Sequence, residues 1–166
     1  MKILKLTKNH KNDFININKL TKENLENPDF FIGFFSNEEI DNFLQNDNQA
    51  IFYGCLENND LVALSGLFFD VEDFQNELNI LNIIPKLCAE IGASMTLKNA
   101  RGKGYMLSIN KELIKIAKEK NIKYLLATAH PDNIASNKSL NNLGMNFIKE
   151  FKRHNFPRNL YILNLN

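Results

Sequence analysis

The sequence predicts a mixed α/β fold, α+β in its detail, arranged around one central sheet. Three observations predict it. Two aromatic-rich apolar runs flank a short polar turn in the first half of the chain. A long strand pattern, an amphipathic helix pattern and a near-continuous apolar run follow one another in the second half. The chain has 166 residues with 44% hydrophobic content, which suits one domain with a substantial core, so residues 1–166 are expected to form a single unit.

The elements follow in order. "MKILKLT" alternates as a first strand does, and "KNDFININKLTKENLEN" is a helix-compatible stretch that ends before Pro28. "SNEEIDNFLQN" opens with Ser36 and carries Glu39 three residues on, the reciprocal capping pattern of a helix start. "AIFYGCLENNDLVALSGLFFD" reads as a β-hairpin turning at Glu57 to Asp60. "KLCAEIGASMTL" is a longer strand with Gly92 as a candidate bulge. "GYMLSINKELIKIAKEKN" sets Met106, Ile109, Leu113, Ile116 and Ala117 on one stripe, with Asn121 placed to end the helix. "IKYLLATA" has the composition of a strand buried on both faces, which makes the three pieces a right-handed βαβ unit with parallel strands. Ala135 to Leu143 form a short helix closed by Gly144, and "MNFIKEF" and "NLYILNL" pair as a terminal hairpin across "KRHNFPR".

Composition narrows the function. The formal net charge is +1, so no global field draws the chain to nucleic acid or an anionic membrane, and any anion site must be local. The opening residues lack the apolar core of a secretory signal, and "LVALSGLFF" is too short to cross a bilayer, so a cytoplasmic location is expected. Cys55 and Cys88 sit in apolar runs without ligand spacing and are expected as buried thiols; no metal constellation is present.

The stretch "NARGKGYM" lies where the long strand ends and the amphipathic helix begins. The first turn of a helix leaves N–H groups unpaired at the positive end of the helix dipole, and Gly102 and Gly104 let an anion approach them closely. Arg101 and Lys103 add charge, so the segment through Tyr105 and Met106 reads as a phosphate or pyrophosphate cradle. It is not a Walker A loop, because Leu97 stands where the first glycine is required and Gly104 follows Lys103. Nor does it match the dinucleotide fingerprint, which needs a third glycine or an alanine near Leu107.

Together, the long strand, "RGKG", the helix, the apolar strand, the segment "HPDNxxSxxxLxxLGM" and the last strands resemble the GNAT superfamily of N-acetyltransferases, specifically over Lys86 to Leu165. The resemblance implies a GNAT-like α/β/α sandwich with a mostly antiparallel, V-splayed sheet and one parallel βαβ unit. It implies acetyl-CoA as cosubstrate and an acetyl group transferred to a primary amine of a small molecule or peptide by direct attack. The family's loop pattern falls on Asn99, Gly102 and Gly104, with Asn99 departing from the usual first residue. The notch between the splayed strands would expose the backbone of Ser94, Met95 and Thr96 to the pantetheine. Asn133 matches a position that often bonds the pantetheine, and Lys138 can reach a phosphate; a helix cap and a solvated lysine are the alternatives.

Catalysis needs a base for the ammonium and a partner for the departing thiolate. Glu90 stands six residues before Thr96, at the spacing where some members place a glutamate base, and even spacing puts both on one face of a regular strand. An ion-paired or solvated carboxylate is the alternative. The usual tyrosine acid is replaced by Leu140, which turns attention to Ser136, as in the branch acting on ribosomal-protein N-termini. Tyr105, Tyr124 and Tyr161 are substitutes, and His130 is a second candidate base or a turn cap. Phe30, Phe31, Phe34 and Phe35, with Glu38 and Glu39, make an acidic aromatic wall for an amine or else serve core and cap. The basic "KEFKRHNFPRN" is expected as a solvated hairpin tip, with RNA contact unfavoured. A homodimer stays open. Competing readings are a non-catalytic acyl-CoA-binding or sensing module and a βαβ binder of another phosphate-bearing ligand.

Overall fold

The computed structural model describes residues 1–166. It begins with β1 (Lys2–Lys5), α1 (Lys11–Glu23) and α2 (Asn37–Gln45), and continues through β2 (Ala50–Glu57), β3 (Asp60–Phe68) and α3 (Gln75–Ile80). Then come β4 (Cys88–Thr96), α4 (Tyr105–Glu119), β5 (Tyr124–Ala129), α5 (Ile134–Asn142), β6 (Asn146–Arg153) and β7 (Phe156–Asn164). All seven strands join one sheet in the order β1-β2-β3-β4-β5-β7-β6, and only the β4–β5 pair is parallel. The first and last strands of the chain therefore belong to the same sheet. No helix is long and apolar enough to cross a membrane.

Local chemistry explains most boundaries. Ser36 Oγ accepts the Glu39 N–H at 3.1 Å while Glu39 Oε1 accepts the Ser36 N–H at 3.0 Å, so the expected capping box starts α2. The β2–β3 and β6–β7 hairpins turn on Asn58-Asn59 and His154-Asn155, all four at positive φ, as twist-compatible two-residue turns require. The second turn is tighter than "KRHNFPR" suggested, and Arg153 and Arg158 lie within strands. Asn121 (φ 61) and Gly144 (φ 94) end α4 and α5. The α3 turn was not anticipated; it is only six residues long and has no side-chain cap.

Two helical layers cover the sheet, giving the expected α/β/α sandwich. On one face Ile109, Leu113 and Ala117 of α4 and Leu140 of α5 pack on Ala63, Leu67, Ile91 and Ala127. On the other, Phe14 and Ile17 of α1 and Ile40 and Phe43 of α2 pack on Phe52, Leu64 and Met95. Leu78 of α3 extends that layer over Cys88, Leu126, Phe151 and Leu160. Cys55 and Cys88 are both buried free thiols, and burial pushes Cys88 up to about 11.

β4 is not regular. Leu64 pairs with Met95 and Gly66 with Gly92, so Ala93 and Ser94 together face Ser65. The bulge therefore sits one residue beyond Gly92, and its left-handed residue is Ala93 at φ 55. It also reverses an expectation: Glu90 pairs with Phe68 and Thr96 with Ala63. Those partners are five apart on β3, so Glu90 and Thr96 face opposite sides of the sheet. Gly92 serves a different purpose. A Cβ there would lie 3.3 Å from Glu90 Oε2, so the absence of a side chain lets that carboxylate fold back along the strand.

The bulge predicts an inverted β-propensity at position 93. Ala93→Val, favourable in an ordinary strand, is expected to lose about 1–3 kcal/mol because a branched residue resists positive φ. Ala93→Gly is expected to match or exceed the wild type. Urea unfolding midpoints of the two variants check this.

Candidate active site

β4 and β5 pair only through Cys88–Tyr124, Ala89–Leu125 and Glu90–Leu126. Beyond Glu90 they separate: β4 runs on against β3 and β5 runs on against β7. The facing backbone edges of Ile91–Thr96 and Ala127–Ala129 are left without strand partners, and this is the V-shaped notch the resemblance implied. A cleft of about 1210 Å³ passes along it. Glu90, Ser94, Met95, Thr96, Arg101, Gly102, Lys103, Gly104, Tyr105, Met106, Asn133, Ser136 and Lys138 border this cleft, whereas Asn99, Tyr124, His130 and Tyr161 do not line it.

At one end of the cleft lies the loop before α4. Gly102 and Gly104 have φ +75 and +77, and no neighbour lies within 4 Å of a Cβ built on either. Glycine is required there by backbone conformation, with open space above it. The α4 N-terminus has no side-chain cap, and the first helix N–H to find a carbonyl is that of Ser108, on Gly104 O at 3.2 Å. The N–H groups of Tyr105, Met106 and Leu107 are therefore free for a ligand, at the positive end of a 15-residue helix. Arg101 and Lys138 are exposed at the cleft and make no ion pair. Lys103 and Tyr105 are tied elsewhere: Lys103 Nζ bonds Glu57 Oε1 at 2.9 Å and Tyr105 Oη donates to Glu57 Oε2 at 2.6 Å. These two bonds, the tyrosine's first, hold the Glu57 carboxyl low. The same bond pushes the Tyr105 phenol up to about 12, which makes it a weaker proton donor.

Along the notch, Met95 buries its side chain in the core and the Ser94 hydroxyl bonds Ser65 Oγ at 2.8 Å. What these residues offer a ligand is backbone. Asn133 is the N-cap of α5, its Oδ1 accepting the Ser136 N–H at 3.1 Å, while the Ser136 hydroxyl makes no bond within the protein. Leu140 is core. Tyr161 donates to Asn137 Oδ1 at 2.7 Å, and Tyr124 packs beside Cys88 at the closed end of the V. His130 caps its turn, Nδ1 accepting the Asp132 N–H at 3.0 Å.

At the other end Glu90 is buried and bonded through both oxygens to Arg153, at 2.6 and 3.0 Å. It is an ion-paired carboxylate in the cleft wall. Arg153 Nε also bonds Asp73 Oδ2 at 3.0 Å, which His154 Nε2 shares at the same distance. Burial pushes the Glu90 carboxyl above its ordinary value against the pull of Arg153. Burial also acts upward on Asp73, but the bonds from Arg153 and His154 outweigh it and hold that carboxyl low. The Phe30–Phe35 segment is half-buried along the same end; Phe31 and Phe34 stack at 5.0 Å, and Phe35 packs on Phe14 and Phe43. Glu39 is spent on the α2 cap.

Two cleft residues escaped sequence reading. Asn110 is 3% exposed on the inner face of α4, and its Oδ1 has no hydrogen-bond partner. Its signal was a polar residue inside an apolar stripe. Arg158 is 2% exposed on β7 and was grouped with a solvated hairpin tip. The free α4 N–H groups, the open notch backbone and the orphaned Asn110 oxygen all fit a long ligand with an anionic end and an amide-bearing arm.

The sequence matches the model of the acetyltransferase (GNAT) domain over residues 17–146. The chain belongs to that family. No curated protein sequence matches it significantly. Among solved structures it is similar to the ribosomal-protein-alanine N-acetyltransferase of Brucella melitensis, at 17% identity over 99% of each chain with a TM-score of 0.77. It is similar to an N-acetyltransferase of Staphylococcus aureus Mu50, at 16% identity over 99% of this chain and 98% of that one, TM-score 0.78. It is also similar to yncA of Salmonella typhimurium, solved with its cofactor acetyl-CoA, at 14% identity over 100% of this chain and 94% of that one, TM-score 0.78. The protein is thus a GNAT acetyltransferase whose acyl donor is acetyl-CoA.

The buried ion pair predicts a pH-dependent defect. Arg153→Met is expected to cost about 3 kcal/mol at neutral pH, because it strands a buried carboxylate. The Glu90 pKa, already raised, then climbs further. A carboxyl whose folded pKa exceeds its unfolded value favours folding when protonated, so the variant recovers as pH falls through that pKa and weakens as pH rises through it. Urea midpoints at pH 5 and pH 7.5, with Glu90→Gln/Arg153→Met as the neutral control, check the sign.

Proposed function

We propose that the protein transfers the acetyl group of acetyl-CoA to a primary amine of a small molecule or peptide, by direct attack within a ternary complex. The observation that carries this reading is the coincidence of a free helix N-terminus, an unpaired strand notch and a separate aromatic, charged end within one cleft. The first two suit the donor and the third suits an acceptor. The Brucella relative acts on an alanine of a ribosomal protein, which supports a peptide amine as one acceptor class.

In this reading the N–H groups of Tyr105, Met106 and Leu107 take the pyrophosphate, with Arg101 and Lys138 as flanking cations. Gly102 and Gly104 keep the approach clear. The free edge of β4 from Gly92 to Thr96 bonds the pantetheine as an added strand would. Asn133 offers its remaining amide N–H groups, and Asn110 Oδ1 accepts a pantetheine amide N–H. Acetyl-CoA supplies the activated thioester.

The acceptor lies between the Phe30–Phe35 segment and the terminal hairpin. A primary amine is mostly protonated at neutral pH and must lose a proton to attack. Glu90 has about four lone-pair positions, of which Arg153 uses two. The others draw the ammonium and receive its proton through a bridging water. As the nitrogen bonds the acyl carbon and the carbon–sulfur bond breaks, the Ser136 hydroxyl meets the departing thiolate. With Leu140 in the usual tyrosine position, Ser136 stabilises that charge by hydrogen bonding and the proton arrives from solvent.

Acetyl-CoA-dependent release of CoA thiol across an amine panel tests the activity. Acetyl-CoA and CoA are expected to raise the melting temperature, ATP to do so less, and Gly104→Glu to lose the shift. No shift with acetyl-CoA, or a larger one with ATP, contradicts the reading. Asn110→Leu is expected to raise the melting temperature of the free protein by removing an orphaned polar group, and to weaken CoA binding about 10-fold. Binding of 3′,5′-ADP, which lacks the arm, should not change.

A further inference from the structure

Arg158 has no counter-charge. It is 2% exposed, and no carboxylate lies within ion-pair distance of its guanidinium. Nη1 donates to Pro157 O at 2.7 Å and Nη2 to Asp29 O at 2.6 Å, both neutral carbonyls. Two of its five N–H groups are thereby used, leaving three. A buried guanidinium without a carboxylate is costly and rare. Its neighbour on the same hairpin shows the contrast: Arg153 is neutralised by Glu90 and Asp73.

Its place in the sheet says what it faces. Asn159 pairs with Ala129, the last residue of β5, so Arg158 stands one residue further toward the mouth of the notch and one strand spacing, about 5 Å, from its backbone. Asn159 and Tyr161 turn toward α5, where they bond Asn137. Arg158 alternates with them and shares the opposite face with Leu160 and, across the sheet, Glu90. The pyrophosphate cradle opens the helix that covers the other face. An anion that reaches Arg158 therefore comes with the acceptor. The Glu90–Arg153–Asp73 cluster, two carboxylates on one guanidinium, and Arg158 border the same cleft, with the half-buried Phe30–Phe35 segment beside them. That pattern complements a zwitterion with an apolar body.

We propose that the acceptor is a small amino carboxylate, its carboxylate docked on Arg158 and its amine turned toward Glu90 and the notch. This rests on the acetyl-transfer reading and narrows it: a peptide N-terminus carries an amide where this site asks for a carboxylate.

The test offers the protein acetyl-CoA with a pool of the twenty protein amino acids or a pool of their amides, products being read by mass spectrometry. The acids are expected to be acetylated at least about 10-fold better than the amides. Arg158→Gln should raise KM for the best acid about 10-fold or more and so shrink the preference for acids over amides, and Arg158→Lys should fall between. A purely structural strut to Asp29 would lower both pools together. Equal or better use of amides, equal loss on both pools in Arg158→Gln, or acetylation of neither pool by a preparation that acetyl-CoA stabilises, would each overturn the proposal and leave the acetyltransferase standing. Absence of stabilisation by acetyl-CoA would instead overturn the acetyl-transfer reading, and this proposal with it.

Discussion

The parting of β4 from β5 beyond Glu90 is the constraint on which the rest of the site depends. A sheet interior normally has no free backbone, because each unpaired buried N–H or C=O costs as much as a lost hydrogen bond. Here each strand continues with a partner on its outer side, β3 for β4 and β7 for β5, so the gap opens without unravelling either. The bulge at Ala93 and Ser94 bends β4 at the point of departure. The α4 N-terminus at the end of the same strand adds three more unpaired donors. The fold thus holds a continuous line of hydrogen-bonding groups ready for an extended, amide-bearing ligand, with little reorganisation left for binding to cost.

Charge is arranged along that line by sign. Free cations stand at the cradle, where Arg101 and Lys138 have no carboxylate, whereas Lys103 is neutralised by Glu57 on the β2–β3 hairpin. At the other end the carboxylates of Glu90 and Asp73 clamp one guanidinium, which lies 4.7 Å over the Phe74 ring. That clamp fixes the terminal hairpin to β4 and to the segment before α3. It holds the Glu90 carboxyl in place beside the notch, while Arg158 pins the α1–α2 connection through Asp29 O. This end of the cleft is therefore lined by two arginines from a hairpin whose composition suggested a solvated tip.

Much of this was legible in the sequence, where local rules and tertiary structure agree. The Ser36–Glu39 capping box, the Asn58-Asn59 turn, the α4 stripe and the two loop glycines each answer to a short-range requirement, and each stands where it was expected. What stayed hidden depends on pairing between distant segments. Glu90 and Arg153 are 63 residues apart, and neither partner can be named before the hairpin is folded against β4. Lys103 and Tyr105 meet Glu57 across a separation of 46 and 48 residues. The bulge falls on an alanine next to a glycine that looked the better candidate, because Gly92 makes room for the Glu90 carboxylate and has no positive φ of its own. Asn110 occupies a helix-face position that the hydrophobic pattern assigns to core.

The most direct test of the account is amide hydrogen exchange, residue by residue, with and without acetyl-CoA. The open N–H groups of Tyr105, Met106 and Leu107 and those along the free edge of Gly92–Thr96 should gain protection together on binding, while the β1–β2 and β6–β7 pairs change little. Protection that appears elsewhere, or that reaches the α4 N-terminus without the β4 edge, would contradict the claim that the splayed strands hold the cosubstrate's arm.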